Sequence, residues 1–113
     1  MPEARRVEFV GLATRDLDET FEYIAQYDEQ TAFKQVDEIR RVCHERLAAN
    51  PNLDKPLKMG GGRRSFLKNG YRIVNRADDM RLLVLRIIHT SMNFDRIMSA
   101  HEEDSLDGSS RTD

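Results

Sequence analysis

The pattern of apolar and polar positions divides the chain into two halves with different periods. Val7–Leu12 (VEFVGL) is a short run rich in β-branched and aromatic residues and predicts a strand. Thr14 follows as a helix cap, with Asp16, Asp18 and Glu19 placed to favour the positive helix end. Leu17, Phe21, Ile24 and Ala25 then recur at helical spacing, so a first helix runs to about Gln26. Tyr27–Gln30 reads as a tight break, after which Asp28 or Thr31 can cap a second helix. Ala32, Val36, Ile39, Cys43 and Leu47 mark its apolar face, with Phe33 and Val42 beside it. That helix is expected to end near Asn50, because Pro51 lacks an amide donor and clashes with the preceding turn. A loop this short between two helices predicts an antiparallel hairpin.

Beyond the hairpin the period changes from helical to extended. Pro51–Gly62 carries two prolines and three consecutive glycines and reads as a loop. Arg63–Leu67 and Tyr71–Arg76 read as strands joined by Asn69-Gly70, both of which tolerate positive φ. Ala77–Met80 makes a second turn. Leu82–Ile88 is almost continuously apolar, as in a central strand buried on both faces. Asn93–Ala100 is expected to form a short last helix, and residues 101–113 (HEEDSLDGSSRTD) lack periodicity and are expected to be disordered. The order is β-α-α-β-β-β: an α+β fold, with a helical hairpin packed on one face of a small antiparallel sheet. The 113 residues make one domain, residues 1–100, followed by an acidic tail, residues 101–113.

Charge changes this picture because it is segregated. The formal net charge is −2. Residues 1–54 hold 7 basic and 12 acidic side chains, residues 55–100 hold 10 and 3, and residues 101–113 hold 1 and 5. The sheet half can therefore present a strongly positive face. Between Arg63 and Phe94, six arginines and one lysine are threaded through the runs that build the core. Arg63, Arg64, Lys68, Arg72, Arg76 and Arg86 are the candidates for an anion-facing patch, since a guanidinium binds a carboxylate or phosphate through paired hydrogen bonds. The alternative for Arg72 and Arg86 is pairing with a local acid, or stems laid over the sheet while the heads stay wet.

Other chemistry is sparse. A single cysteine, Cys43, excludes an intramolecular disulfide and a multi-cysteine metal site. It lies on the apolar face of the second helix and is expected to be a small buried hydrophobe. His44 and His101 have no partners at metal-ligand spacing, and no cofactor is expected. Gly60-Gly61-Gly62 lacks the lysine and Ser/Thr of a nucleotide cradle. The N-terminal apolar patch is too short for a signal peptide or a membrane span, so a cytoplasmic protein is expected.

Three segments resemble the ParE branch of the RelE/ParE toxin superfamily, the plasmid-stabilisation toxins of type II toxin–antitoxin systems. They are the first helix and its break (TRDLDETFEYIAQYDEQTAF), the strand Asn69-Gly70-Tyr71-Arg72-Ile73-Val74, and Leu85-Arg86-Ile87-Ile88-His89-Thr90-Ser91-Met92-Asn93. The resemblance covers about residues 6–98. It implies a toxin that inhibits DNA gyrase by binding, without a catalytic site or direct nucleic-acid binding, and that forms a hetero-oligomer with a ParD-like antitoxin. Such antitoxins carry a tail that folds along the toxin. Contacts with target or antitoxin would then draw on Arg63, Arg64, Lys68, Arg72, Arg76, Arg86, His89, Met92, Asn93 and Phe94. The resemblance also admits a RelE-like, ribosome-dependent mRNA endonuclease, with Arg64, Arg72, Arg86 and His89 as its catalytic groups. RNA cleavage needs a group to activate the 2′-hydroxyl, cations on the phosphate and an acid for the leaving oxygen. After the last strand the chain reads His89-Thr90-Ser91-Met92-Asn93-Phe94, where RelE-like nucleases have an arginine and a tyrosine. His89 could act as a base at neutral pH or simply end the strand against the backbone. Met92 and Phe94 are expected to pack, and Asn93 to cap the last helix. A third reading is a diverged, non-toxic member that retains only antitoxin binding.

Overall fold

A computed structural model describes residues 5–50 and 61–98, together with the backbone of Lys55 and Pro56. Most of the expected loop at 51–62, residues 99–100 of the expected last helix, His101 and the acidic tail lie outside the described residues. Strand β1, Arg6–Phe9, passes directly into helix α1, Gly11–Ala25. Helix α2, Glu29–Val42, continues through a π-turn at Cys43–Leu47. Then come β2 (Lys55–Pro56), β3 (Arg64–Lys68), β4 (Tyr71–Ala77) and β5 (Arg81–His89), followed by a helical turn over residues 94–98.

The first helix begins three residues before Thr14. Val10 donates its N–H to the Val84 carbonyl and accepts from the Thr14 N–H, both at 3.0 Å, so the end of β1 doubles as the helix entrance. No side chain caps this end, and no acid stands in the first turn. Asp16 is instead buried, on the same stripe as Ala13, Leu17 and Thr20. The second helix is capped by Asp28, whose Oδ1 accepts from the N–H groups of Gln30 and Thr31 at 3.0 and 3.4 Å. Ala32, Ile39, Val42, Cys43 and Leu47 are buried along one face, as their spacing requires. Phe33 is 61% exposed and meets Phe21 edge-on.

The sheet has the order β1-β5-β4-β3-β2. Three of its pairings are antiparallel, but β1 runs parallel to β5, with Val7 opposite Leu82 and Phe9 opposite Val84. A short apolar run encodes burial, not strand direction, which is why the sequence pattern did not reveal this pairing. The β3–β4 turn has φ +53° at Asn69 and +83° at Gly70, the left-handed geometry expected of Asn-Gly. It is tied to α2 through Asn69, whose amide donates to Glu38 at 2.6 Å and whose carbonyl accepts from Gln35 at 3.1 Å.

Two layers of side chains pack on the sheet. The main core joins Leu17, Ile39, Val42, Cys43 and Leu47 of the helices to Ile73, Leu82, Val84 and Ile87 of the strands. On the opposite face, Val74 and Ile88 are covered by Met98, with Leu85, Phe94 and Ile97 around them. Covering both faces of β4 and β5 accounts for the nearly unbroken apolar run of the last strand.

Candidate functional site

The candidate site lies where β5 loses its parallel partner. Strand β1 ends opposite Val84, so the remainder of β5 has an edge that β1 does not cover. A β-bulge falls at the same point: Asn75 pairs with Val84 and Val74 with Arg86, leaving Leu85 unpaired. Bulges redirect side chains, and here Arg86 reaches across the open edge to α1. Its Nε and Nη2 donate to Asp16 Oδ2 and Oδ1 at 2.8 and 3.1 Å. Asp16 Oδ2 also accepts the Ile87 N–H at 2.8 Å, taking the place of a strand on that edge. The two side chains are 18% and 9% exposed, so the pair is a buried, bidentate ion pair.

Next to this pair is a cleft of about 510 Å³. Its walls include Glu19, Thr20 and Tyr23 from α1 and Ile87, Ile88 and His89 from β5, with Met92 closing the end. Thr90 N–H donates to the Gly70 carbonyl at 2.9 Å, and the alternation of an antiparallel ladder then turns the backbone groups of Ile87 and His89 away from β4, toward the cleft. The bond from Ile87 N–H to Asp16 agrees with that direction. The cleft combines an apolar floor, outward-facing strand backbone and the carboxylate of Glu19.

His89 ends β5 as an element of the turn that follows. Its Nδ1 accepts the Ser91 N–H at 3.1 Å and lies 2.6 Å from the Ser91 hydroxyl, while its ring stands edge-on to Tyr71 at 5.0 Å. Asn93 caps the closing helical turn, its Oδ1 accepting the Arg96 N–H at 3.1 Å. Met92 is 55% exposed at the mouth of the cleft, and Phe94 is half-buried beneath Arg72, whose guanidinium lies 5.1 Å from the ring centroid.

The expected cationic patch is divided by the period of two along each strand. Arg72 and Arg76 alternate with Ile73 and Ala77, which pack in the main core, so both stand on the outer face. Arg64 and Lys68 share a side of β3 with Phe66, which packs toward the helices, so they lie at the sheet rim on the helical side. Arg63 precedes β3, and Arg86 is engaged by Asp16 at the opposite edge. The sequence reading missed the α1 residues of the site altogether. Their one visible signal was an acid, Asp16, on the same helical stripe as Ala13, Leu17 and Thr20.

Elsewhere, burial pushes the Cys43 thiol up to about 12, against the smaller opposing effect of the Arg40 charge. Hydrogen bonds from Thr31 and Gln30 hold the Asp28 carboxyl below its ordinary value. The Met80 and Arg81 amides do the same for Asp78 in the β4–β5 turn. Among the described residues there is no cluster of His, Cys, Asp and Glu suited to a metal ion, and no helix long and apolar enough to cross a membrane.

This architecture recurs in solved toxins. The chain is similar to a structure of a chromosomal ParDE toxin–antitoxin system from P. aeruginosa, at 21% identity, with 76% of this chain and 96% of that one covered and a TM-score of 0.62. It is also similar to a chain of the RelBE2 toxin–antitoxin complex from Mycobacterium tuberculosis (24% identity, 76% and 91% covered, TM-score 0.60) and of the DinJ–YafQ complex from E. coli (16%, 81% and 99%, TM-score 0.56). No curated protein sequence matches the chain. A family model for the ParE toxin of type II toxin–antitoxin systems, parDE, matches residues 7–94. With that match over most of its length, and with a helical hairpin on a mixed sheet behind it, the chain belongs to the ParE toxin family of type II toxin–antitoxin systems.

Proposed function

We propose that this toxin acts by binding, with DNA gyrase as its target, and that a ParD-like antitoxin neutralises it in a hetero-oligomer within the cytoplasm, as in a plasmid-stabilisation module. The observation that carries this reading is the state of the β5 cleft. Its guanidinium, Arg86, is committed to Asp16, and Glu19 adds a negative charge beside an apolar floor. A phosphate backbone would meet a carboxylate there rather than a cation. An amphipathic protein segment fits better: it can lay apolar side chains on the exposed Tyr23 and Met92 and bond to the outward-facing backbone of Ile87 and His89. The antitoxin is the natural source of such a segment, and coupled folding would let a short chain cover much of a small toxin. Acids of the same segment, or of the target, can engage Arg72 and Arg76 on the outer face. The use of His89 Nδ1 by Ser91 supports a turn-forming role for that residue over a catalytic one.

The test is expression of the chain with separate readouts of gyrase supercoiling and transcript integrity. Inhibited supercoiling with intact transcripts, retained in His89→Ala, is the expected result. A prompt stop in translation with cut transcripts and normal supercoiling, abolished by His89→Ala, would replace this reading with that of a RelE-like endonuclease. Absence of any growth effect would indicate a member that only binds antitoxin.

A further inference from the structure

The outer sheet face has a charged half that the closing helical turn leaves open. Residues 94–98 cover Val74, Leu85 and Ile88. Beside them lie Arg76, which is exposed, and Leu83, its register partner on β5, which is half-buried. Arg6 and Arg81, also register partners, share the single carboxylate of Glu8, each at 3.4 Å. With Arg72, four guanidinium groups stand on this face. Among the described residues, Glu8 and the turn residue Asp78, 3.7 Å from Arg81, are the acids paired with them.

The chain leaves the described structure from this same face, because Met98 is fully buried against Val74 and Ile88. The sequence that follows carries Glu102, Glu103, Asp104, Asp107 and Asp113 against Arg111 alone. At roughly 3.3 Å per extended residue, Glu102 can travel about 13 Å from Met98 and Asp107 about 30 Å, enough to meet Arg72 and Arg76 without crossing a sheet edge. Exposed ion pairs are individually weak and salt-sensitive. A tether nevertheless makes the contact intramolecular, at an effective concentration on the order of millimolar.

We propose that the acidic segment Glu102–Asp107 docks in cis on Arg72 and Arg76 of the outer sheet face, as a tethered competitor of acidic protein segments that use the same cations.

The test compares the full chain with a full-length variant carrying Glu102→Gln, Glu103→Gln, Asp104→Asn and Asp107→Asn. At about 50 mM salt, amide resonances around Arg72–Arg76 and Leu83 should differ between the two proteins, and the difference should vanish by about 500 mM. The variant should bind a decaglutamate peptide roughly 3- to 10-fold more tightly at low salt, the scale of a few exposed ion pairs. A second variant, Arg72→Gln with Arg76→Gln, should bind the peptide weakly and make the tail substitutions silent. Unchanged outer-face resonances with equal peptide affinity would overturn the proposal. So would shifts confined to α1 and α2, or shifts that grow with protein concentration, which would place the segment on a second copy.

Discussion

Asp16 and Arg86 lie 70 residues apart in sequence and are joined by two hydrogen bonds of 2.8 and 3.1 Å across the edge of β5. The same carboxylate takes the Ile87 N–H, so one side chain neutralises a cation and satisfies strand backbone. The pair fixes the angle of α1 against β5 and forms the inner end of the cleft. It also removes Arg86 from the set of cations available to a partner.

Breaking this pair should be costly. Removing one partner from a buried ion pair strands the other charge, and Asp16→Asn or Arg86→Met should each lower stability by about 3 kcal/mol in urea unfolding. Removing both should cost less than the sum, with a coupling of at least about 1 kcal/mol. Single losses below about 0.5 kcal/mol, the range of ordinary surface substitutions, would show that the clamp is idle.

The cap of α2 predicts an acid-sensitive contribution to stability. The folded-state value of Asp28 lies below the ordinary aspartate value of 3.8 because its carboxylate accepts from Thr31 and Gln30. Its contribution is therefore complete above 3.8 and is lost as the pH falls through the lower folded value. Asp28→Ala should lower the urea midpoint near neutral pH, and its difference from wild type should narrow below pH 3.8. A difference that stayed constant into that range would exclude ionic capping by Asp28.

Burial should silence Cys43. With its thiol pushed up to about 12 and its side chain in the main core, it should resist a disulfide reagent in the native state at pH 8 and react at once in denaturant. Rapid native-state labelling would mean that the turn at Cys43–Leu47 opens readily.

The division of the arginines predicts unequal effects on binding. Arg72→Glu should weaken antitoxin or target binding by about 10-fold or more, the scale of losing a charged contact in an interface. Arg40→Glu and Arg41→Glu should change it by less than about 3-fold, because Arg40 lies over Phe9 and Arg41 pairs with Asp37 within α2. Equal effects at all three, measured by calorimetry, would argue against the outer face as a contact surface.

How much of this was legible beforehand depended on the range over which each feature is encoded. Local signals carried the element order. The helical spacing of Ala32, Val36, Ile39, Cys43 and Leu47 marked the buried face of α2, Asn69-Gly70 marked the β3–β4 turn, and Asn93 marked the cap of the closing helical turn. Each depends on backbone geometry within a few residues, so the chain determines it without reference to the rest of the fold. The parallel placement of β1, the division of the arginines between two faces and one edge, and the role of Asp16 depended on tertiary structure. A strand's apolar pattern is the same whichever way its neighbour runs, and a bulge of one residue can turn a guanidinium from a sheet face toward an edge. An acid on an apolar helical stripe shows that a partner is needed, but only the folded chain brings Arg86 to it.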